Sequence, residues 1–419
     1  MSIEIAAIVG LVIMFVIATA LPINMGALAF VGAFAIGSFA DMPVKDILSG
    51  FPTDLFVTLV GITYLFAIAQ KNGTIDWLVR QAVWLVRGHV TAIPWVMFLV
   101  AGIITSVGAL SPAAVAIIAP IALGFAYKYR ISPLLMGLMV IHGAQAGGFS
   151  PMSIYGSITN DVVEKSGLPG NEIVLFMSSL LVNFFIAVAI YIYFGGHRAS
   201  LSNSLSNTEN NNLPETVHTT GLNLQRSFTL AGLLVLGVGS LAYELNVGLV
   251  AISVAVFLAL LTPHTQKKAV DDVSWSTVLL ITGVITYIAV LQKVGAVDMA
   301  GNSVSQIGVP LLGALLLCYI GGIVSAFASS VAMLGATIPL AVPFLMQGNI
   351  SAVGVVAAIA VATTIVDVSP FSTNGALVVA NSQGTDKDQF YRQMLLYSAI
   401  VVVIGPLLVW LVLVVPGWL

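Results

Sequence analysis

The chain has 419 residues, of which 59 % are hydrophobic and only 7 % charged, with a formal net charge of −3. A soluble domain carries about 25 % charged residues, so this composition excludes a water-soluble protein of ordinary surface, and a mean hydropathy of +1.06 fits a polytopic membrane protein. Cys318 is the only cysteine, which excludes an internal disulfide and a cysteine-ligated zinc or iron–sulfur centre.

In chain order, spanning helices are expected near 5–22, 24–40 and 54–70. The N-terminus lacks the basic region of a cleavable signal peptide, so Met1 is expected to begin the mature first helix. The stretch TIDWLVRQAVWLVRG is amphipathic and reads as an interfacial helix. Next comes 91–127, with apolar arms near 92–107 and 113–126 around the small, polar tip SVGALSP. Each arm is shorter than the roughly 20 residues a crossing needs, so the reading is a re-entrant hairpin. A helix broken around GGFSPMS follows at 133–163, then a span at 172–195. Residues 197–225 are rich in Ser, Asn and Thr and read as an exposed loop. Beyond it the order recurs: spans near 227–243, 246–262 and 276–292, a hairpin at 309–346 with tip SAFASS, a broken helix at 351–383 and a last span.

The recurrence is written in the residues as well. At an offset of 222, Gly61, Gln70, Lys71, Gly73 and Asp76 meet Gly283, Gln292, Lys293, Gly295 and Asp298. At 219, Ser106, Ser111 and Pro120 meet Ser325, Ser330 and Pro339, and SPMSIYG (150–156) meets SPFSTNG (369–375). The expected architecture is all-α and polytopic: a first repeat at 1–195, a cytoplasmic linker at 196–226 and a second repeat at 227–419. With five crossings per half, the second repeat is inverted relative to the first, an arrangement common in secondary transporters. This topology puts 11 of the 14 Lys and Arg on one side and leaves Lys45, Lys165 and Lys293 on the other. The richer side is expected to be cytoplasmic, with both termini outside the cell (inner) membrane.

Hairpin tips and broken helices leave backbone groups unpaired at membrane depth, which is tolerated where they line a cavity or hold a ligand. Half-helix N-termini attract anions and free carbonyls suit Na⁺. Candidate substrate contacts are Ser106, Ser111, Ser150, Ser153, Ser325, Ser329, Ser330, Ser369, Ser372, Thr373 and Asn374. No Lys or Arg falls within the tips or breaks, so an anion there depends on hydroxyls, amides, helix ends and a co-bound cation. Asp367 is the one acid in these elements, and an ionised carboxylate at such a depth is a candidate for coupling to Na⁺ or H⁺. Candidate Na⁺ ligands are Asp367, Asn374, Ser111, Ser330 and Gly148, the last standing where the second half has Asp367. His142 before the first break is read as packing rather than as a proton relay.

Through these residues, and above all through SPFSTNGALVVAN (369–381), the chain resembles the malonate/dicarboxylate carriers of MatC type within the ion-transporter superfamily. More distantly it resembles the divalent-anion/sodium symporters, whose Ser-Asn-Thr tip motif is replaced here by ALSP (109–112) and ASSV (328–331). The resemblance implies a homodimer working as an elevator, in which hairpins and broken helices move against a fixed scaffold. Together these readings describe a secondary transporter that imports a small dicarboxylate, malonate-like or C4, with Na⁺ or H⁺. The alternatives are an arsenite or Na⁺/H⁺ antiporter on the same architecture, or an intramembrane enzyme. Against an enzyme, the chain has no HExxH, no GxSxG and no acid pair suited to cleavage. Its expected partners are the substrate, the bilayer and a second copy of the chain, with no nucleic acid.

Overall fold

A computed structural model describes residues 2–21, 23–85, 90–195, 222–243, 245–261, 263, 269–297, 299, 310–326, 330–346, 350–382 and 386–419. Among these residues there is no strand, and six helices are long and apolar enough to cross a membrane. The first half contains α1 (Ile3–Ala20), α2 (Met25–Phe39), the short α3 (Val44–Leu48), α4 (Thr53–Lys71) and α5 (Thr74–Leu85). The arms of its hairpin are α6 (Ile93–Ser106) and α7 (Ser111–Tyr129), the broken helix is α8 (Pro133–Gly147) plus α9 (Ile154–Lys165), and α10 (Glu172–Tyr193) closes it. The second half has α11 (Leu224–Ala242), α12 (Val247–Leu261) and α13 (Trp275–Lys293), then the hairpin arms α14 (Pro310–Ser325) and α15 (Ser330–Leu345). Its broken helix is α16 (Ala352–Ile365), a 3₁₀ turn (Val366–Val368) and α17 (Thr373–Ala380), and α18 (Lys387–Leu413) ends the chain.

One expectation about the hairpins needs correction. Arm length was to separate them from spans, yet α7 runs 19 residues and is itself long and apolar enough to cross. The helix continues through Tyr127, Lys128 and Tyr129 and stops only where Arg130 turns left-handed at φ 53°. Conversely α2 and α12, read as spans, have 15 residues each. Length therefore sorts neither class here.

Between helices in lipid no hydrophobic force acts, so packing rests on close backbone approach at small residues. Two crossings show this. α2 packs on α13, where a Cβ on Gly26 would overlap the Leu279 carbonyl and one on Gly283 would overlap the Gly26 carbonyl. α12 packs on α4 in the same way, with Gly248 against the Thr58 backbone and Gly61 against the Gly248 carbonyl. At the offset of 222, Gly26 corresponds to Gly248 and Gly61 to Gly283, so the crossings are counterparts and each joins one helix from each half. Asn24 secures the first: its side-chain oxygen caps α2 through the Gly26 and Ala27 N–H groups, while its amide donates to Ser276 O at 2.9 Å and Ser276 Oγ at 3.0 Å.

The helices that begin each break are sunk inside the protein. Every residue from Leu134 to Gly147 is buried, and so is nearly all of α16. A helix apolar on all sides belongs in such a place. Ser132 and Ser351 cap the two, accepting from Leu135 N and Gly354 N, at equivalent positions of the repeat. α8 lies on its own hairpin, with Gly143 against the Phe98 backbone and Gly147 against the Gly102 carbonyl. The main hydrophobic core gathers around these elements, and a smaller cluster joins α1, α2 and α13 to Ala332 and Ala336 of α15.

Candidate functional site

The half-helices beyond each break are held by the hairpin of the opposite half: α7 packs on α17, and α15 packs on α9. This cross-packing puts both tips and both breaks side by side. At the first tip the chain turns through Gly108 at φ +123°, where a Cβ would also press on Ile62 Cγ2 at 2.9 Å. Ser111 then opens α7, buried, and its hydroxyl accepts a hydrogen bond from Asn374 Nδ2 of α17 at 2.9 Å. At the second tip Ser325 Oγ and Ser330 Oγ lie 2.6 Å apart, and Ser330 donates to Asp367 Oδ1 at 2.5 Å. Ser150 of the first break donates to the Ser106 carbonyl at the end of α6. Tyr155, which occupies the place of Asn374 in the first half, is buried and its ring stacks at a tilt on Phe149.

Several expected site residues thus converge, but their hydroxyls do different jobs. Ser153 donates towards Gly148 O (2.5 Å) and Ser150 O (2.7 Å) and accepts from Gly156 N. Ser372 repeats this at Asp367 O (2.6 Å) and Ser369 O (2.8 Å), accepting from Gly375 N. Each is the N-cap of its second half-helix and ties that helix to the carbonyls ending the first, so both hydroxyls are committed to the shape of the break. The Gly148 carbonyl is likewise occupied by Ser153. Ser106 back-bonds to Gly102 O at 2.6 Å and offers the site its carbonyl rather than its hydroxyl. Ser369 is buried and accepts from Phe371 N, whereas Thr373 is exposed. Ser329 lies outside the described residues. Replacing Ser153 or Ser372 by Ala removes a cap worth about 1 kcal/mol. The expected result is a loss of thermal stability of that size with reduced uptake; an uptake defect at unchanged stability would instead make these serines ligand contacts.

Two atoms in the cluster ask for a ligand. Asn374 Oδ1 is buried with no hydrogen-bond partner, in a residue 1 % exposed. Buried acceptors are normally paired, and an orphan costs about 1–3 kcal/mol. Asp367, 6 % exposed, receives the Ser330 hydroxyl, and the ion pairs among the described residues do not include it. One carboxylate with neutral oxygens around it is a donor set for a hard monovalent cation or a proton. No group of three His, Cys, Asp or Glu that could hold a metal occurs among the described residues.

Sequence reasoning passed over a polar chain running through α8. His142 lies between Asn183 Oδ1 (2.9 Å from Nδ1) and Tyr397 OH (2.7 Å from Nε2), fully buried. Asn183 Nδ2 donates to Ser179 O, and Ser179 Oγ donates to the Gln145 carbonyl at 3.0 Å. The Asn183 orientation makes His142 Nδ1 the protonated nitrogen and leaves Nε2 to accept from Tyr397, a neutral imidazole binding α8 to α10 and α18. The reading of His142 as packing is thereby refined to a buried tether. Gln145, one turn further on, was a legible signal, since an amide in so apolar a helix needs a partner.

A cavity of about 630 Å³ lies apart from this cluster, lined among others by Asp54, Asp161, Lys165 and Lys293. Lys165 pairs with Asp161 at 2.9 Å, while Lys293 donates to Asp46 O (2.6 Å) and Ser49 Oγ (2.7 Å). Its counterpart Lys71 is bound to a carboxylate, Asp272, at 2.5 Å.

An all-helical polytopic chain with its polar groups gathered between hairpins and helix breaks defines a membrane transporter. The comparisons agree. The fold matches the crystal structure of the Alcanivorax borkumensis YdaH transporter, described as having an unusual topology, with a TM-score of 0.61 over 88 % of this chain and 87 % of that one, at 13 % identity. Uncharacterized transporters of Mycobacterium bovis and Mycobacterium tuberculosis are 21 % identical over 291 residues, covering 68 % of this chain and 67 % of theirs. Residues 1–148 match the family described as "Dicarboxylate carrier protein MatC N-terminus". The resemblance to MatC-type carriers is thus borne out over α1–α8, including the first hairpin.

Proposed function

We propose that the protein is a secondary active transporter that imports a small dicarboxylate together with Na⁺ or H⁺ across the cell membrane. The observation that carries this reading is the orphan Asn374 Oδ1 beside the Asn374–Ser111 bond, in the same helix break as the buried Asp367. An acceptor oxygen and a carboxylate, with no Lys or Arg in the tips or breaks, form a site that repels an anion until a cation is bound. That order of events couples one ligand to the other. The family match at residues 1–148 supports the dicarboxylate, and the Ser111 and Ser369 hydroxyls, which accept from Asn374 and Phe371, keep their own protons to donate to its carboxylates beside the half-helix N-termini of α9 and α17. Two carboxylates need two sets of donors, which the breaks provide from opposite halves. Transport then follows from moving the hairpin and broken-helix elements against the glycine-crossed helices α2, α4, α12 and α13, with the chain working as a homodimer.

The test is uptake of radiolabelled malonate and succinate into proteoliposomes, under an imposed Na⁺ gradient and separately under a pH gradient. Saturable uptake driven by one gradient is expected, and identifies the coupling ion. No uptake of either acid under any gradient overturns the dicarboxylate assignment.

A further inference from the structure

Gln145 is the residue where the two broken helices meet. Its side chain is fully buried, and Nε2 donates to the carbonyl of Thr364 at 2.8 Å. At the offset of 219, Thr364 is the position equivalent to Gln145 itself, so the bond joins matching points of the two halves. Thr364 stands in the last turn of α16, and its carbonyl also accepts the N–H of the C-cap residue Val366, so the amide is a second donor on the oxygen that ends the helix. Three residues on is Asp367, in the 3₁₀ turn against which α8 packs. The other end of the amide, Oε1, is buried without a partner.

Packing alone does not account for this amide. A methionine fills nearly the same volume, leaves no orphan oxygen and suits an apolar helix better. What the amide adds is direction, since it fixes where the end of α16 sits relative to α8. α8 is itself held fast, by His142 to Asn183 and Tyr397, by Ser179 on the Gln145 carbonyl, and by Gly147 against α6. The pin therefore transmits the position of the first half to the segment bearing the carboxylate.

We propose that Gln145 is a positioning residue for ion coupling, which sets the Val366–Val368 turn and its carboxylate against the first break so that the halves form one site. The proposal rests on the transport reading above. It assigns Gln145 to neither substrate nor ion contact; it acts through Thr364.

Two measurements on the full-length protein test it. In Gln145→Met, hydrogen–deuterium exchange of the 366–369 amides in the ligand-free protein is expected to accelerate at least tenfold, with exchange elsewhere unchanged. In proteoliposomes, the concentration of coupling cation giving half-maximal uptake is expected to rise at least tenfold, while the KM for substrate at saturating cation changes less than threefold. Unchanged exchange and unchanged cation dependence overturn the proposal. So does an equal loss in cation and substrate parameters, which marks a merely structural residue. Should Gln145→Met not fold, Gln145→Glu decides. Its neutral acid still donates to Thr364 O, so the cation dependence is expected to approach the native value at low pH and depart from it as the acid ionises; a pH-independent defect overturns the pin. Exchange requires no substrate, so a wild-type protein that fails to transport either acid overturns the dicarboxylate reading while leaving the pin to be judged separately.

Discussion

Asp367→Asn is expected to leave a folded protein and to abolish gradient-driven uptake. Asparagine keeps the shape of the side chain and an oxygen that accepts from Ser330, so the 2.5 Å contact to the second tip has a successor. What disappears is the negative charge. Interactions with a charged group exceed their neutral counterparts by about 1–2 kcal/mol or more, so losing the carboxylate charge is expected to lower the apparent affinity for the coupling cation roughly 10-fold or more. If the cation is a proton, the amide cannot carry it at all. The check is uptake under an imposed gradient beside exchange of labelled substrate across a membrane without one. Loss of driven uptake with some exchange retained assigns Asp367 to coupling; full activity in both assays removes it from the mechanism.

Gly283→Val is expected to be the most damaging substitution for the fold, by about 3 kcal/mol, the upper end of what overpacking costs. A side chain at this crossing enters the space of the Gly26 carbonyl, and neither backbone can retreat while Asn24 and Ser276 are bonded alongside. Gly61→Val attacks the equivalent crossing through the Gly248 carbonyl and is expected to behave alike. Gly124→Ala is the control, because a Cβ there meets nothing within 4 Å. Thermal unfolding of the purified protein in detergent distinguishes them. A Gly283→Val protein as stable as the control would mean that the crossing is looser than the backbone distances imply.

Much of this organisation was legible in the residues. Long apolar runs located the helices, and the paired phrases at 150–156 and 369–375 located both breaks, because Ser, Pro and Gly interrupt an apolar helix only where the interruption has partners. What could not be read was which atom each hydroxyl serves. Ser153 and Ser372 look like ligand residues in sequence, yet their φ near −80° and ψ near 160° make them helix caps facing the preceding carbonyls. Gln145 and Thr364 are 219 residues apart, and while a lone amide in an apolar helix announces that it needs a partner, nothing local says which. The contact between Ser111 and Asn374 is hidden for the same reason. Periodicity reports on neighbours in the chain, whereas this site is assembled from opposite halves.

That exchange of partners bears on how the protein is made. Neither half contains the surface that three of its helices pack on: α2 awaits α13, α4 awaits α12, and α7, the second arm of the first hairpin, awaits α17. During synthesis, α2 and α4 enter the bilayer with backbone grooves that only lipid can fill until residues near 248 and 283 leave the ribosome. The nascent first half is therefore an open intermediate that the second half completes, and a chain halted within the linker is left with unsatisfied grooves for quality control to recognise.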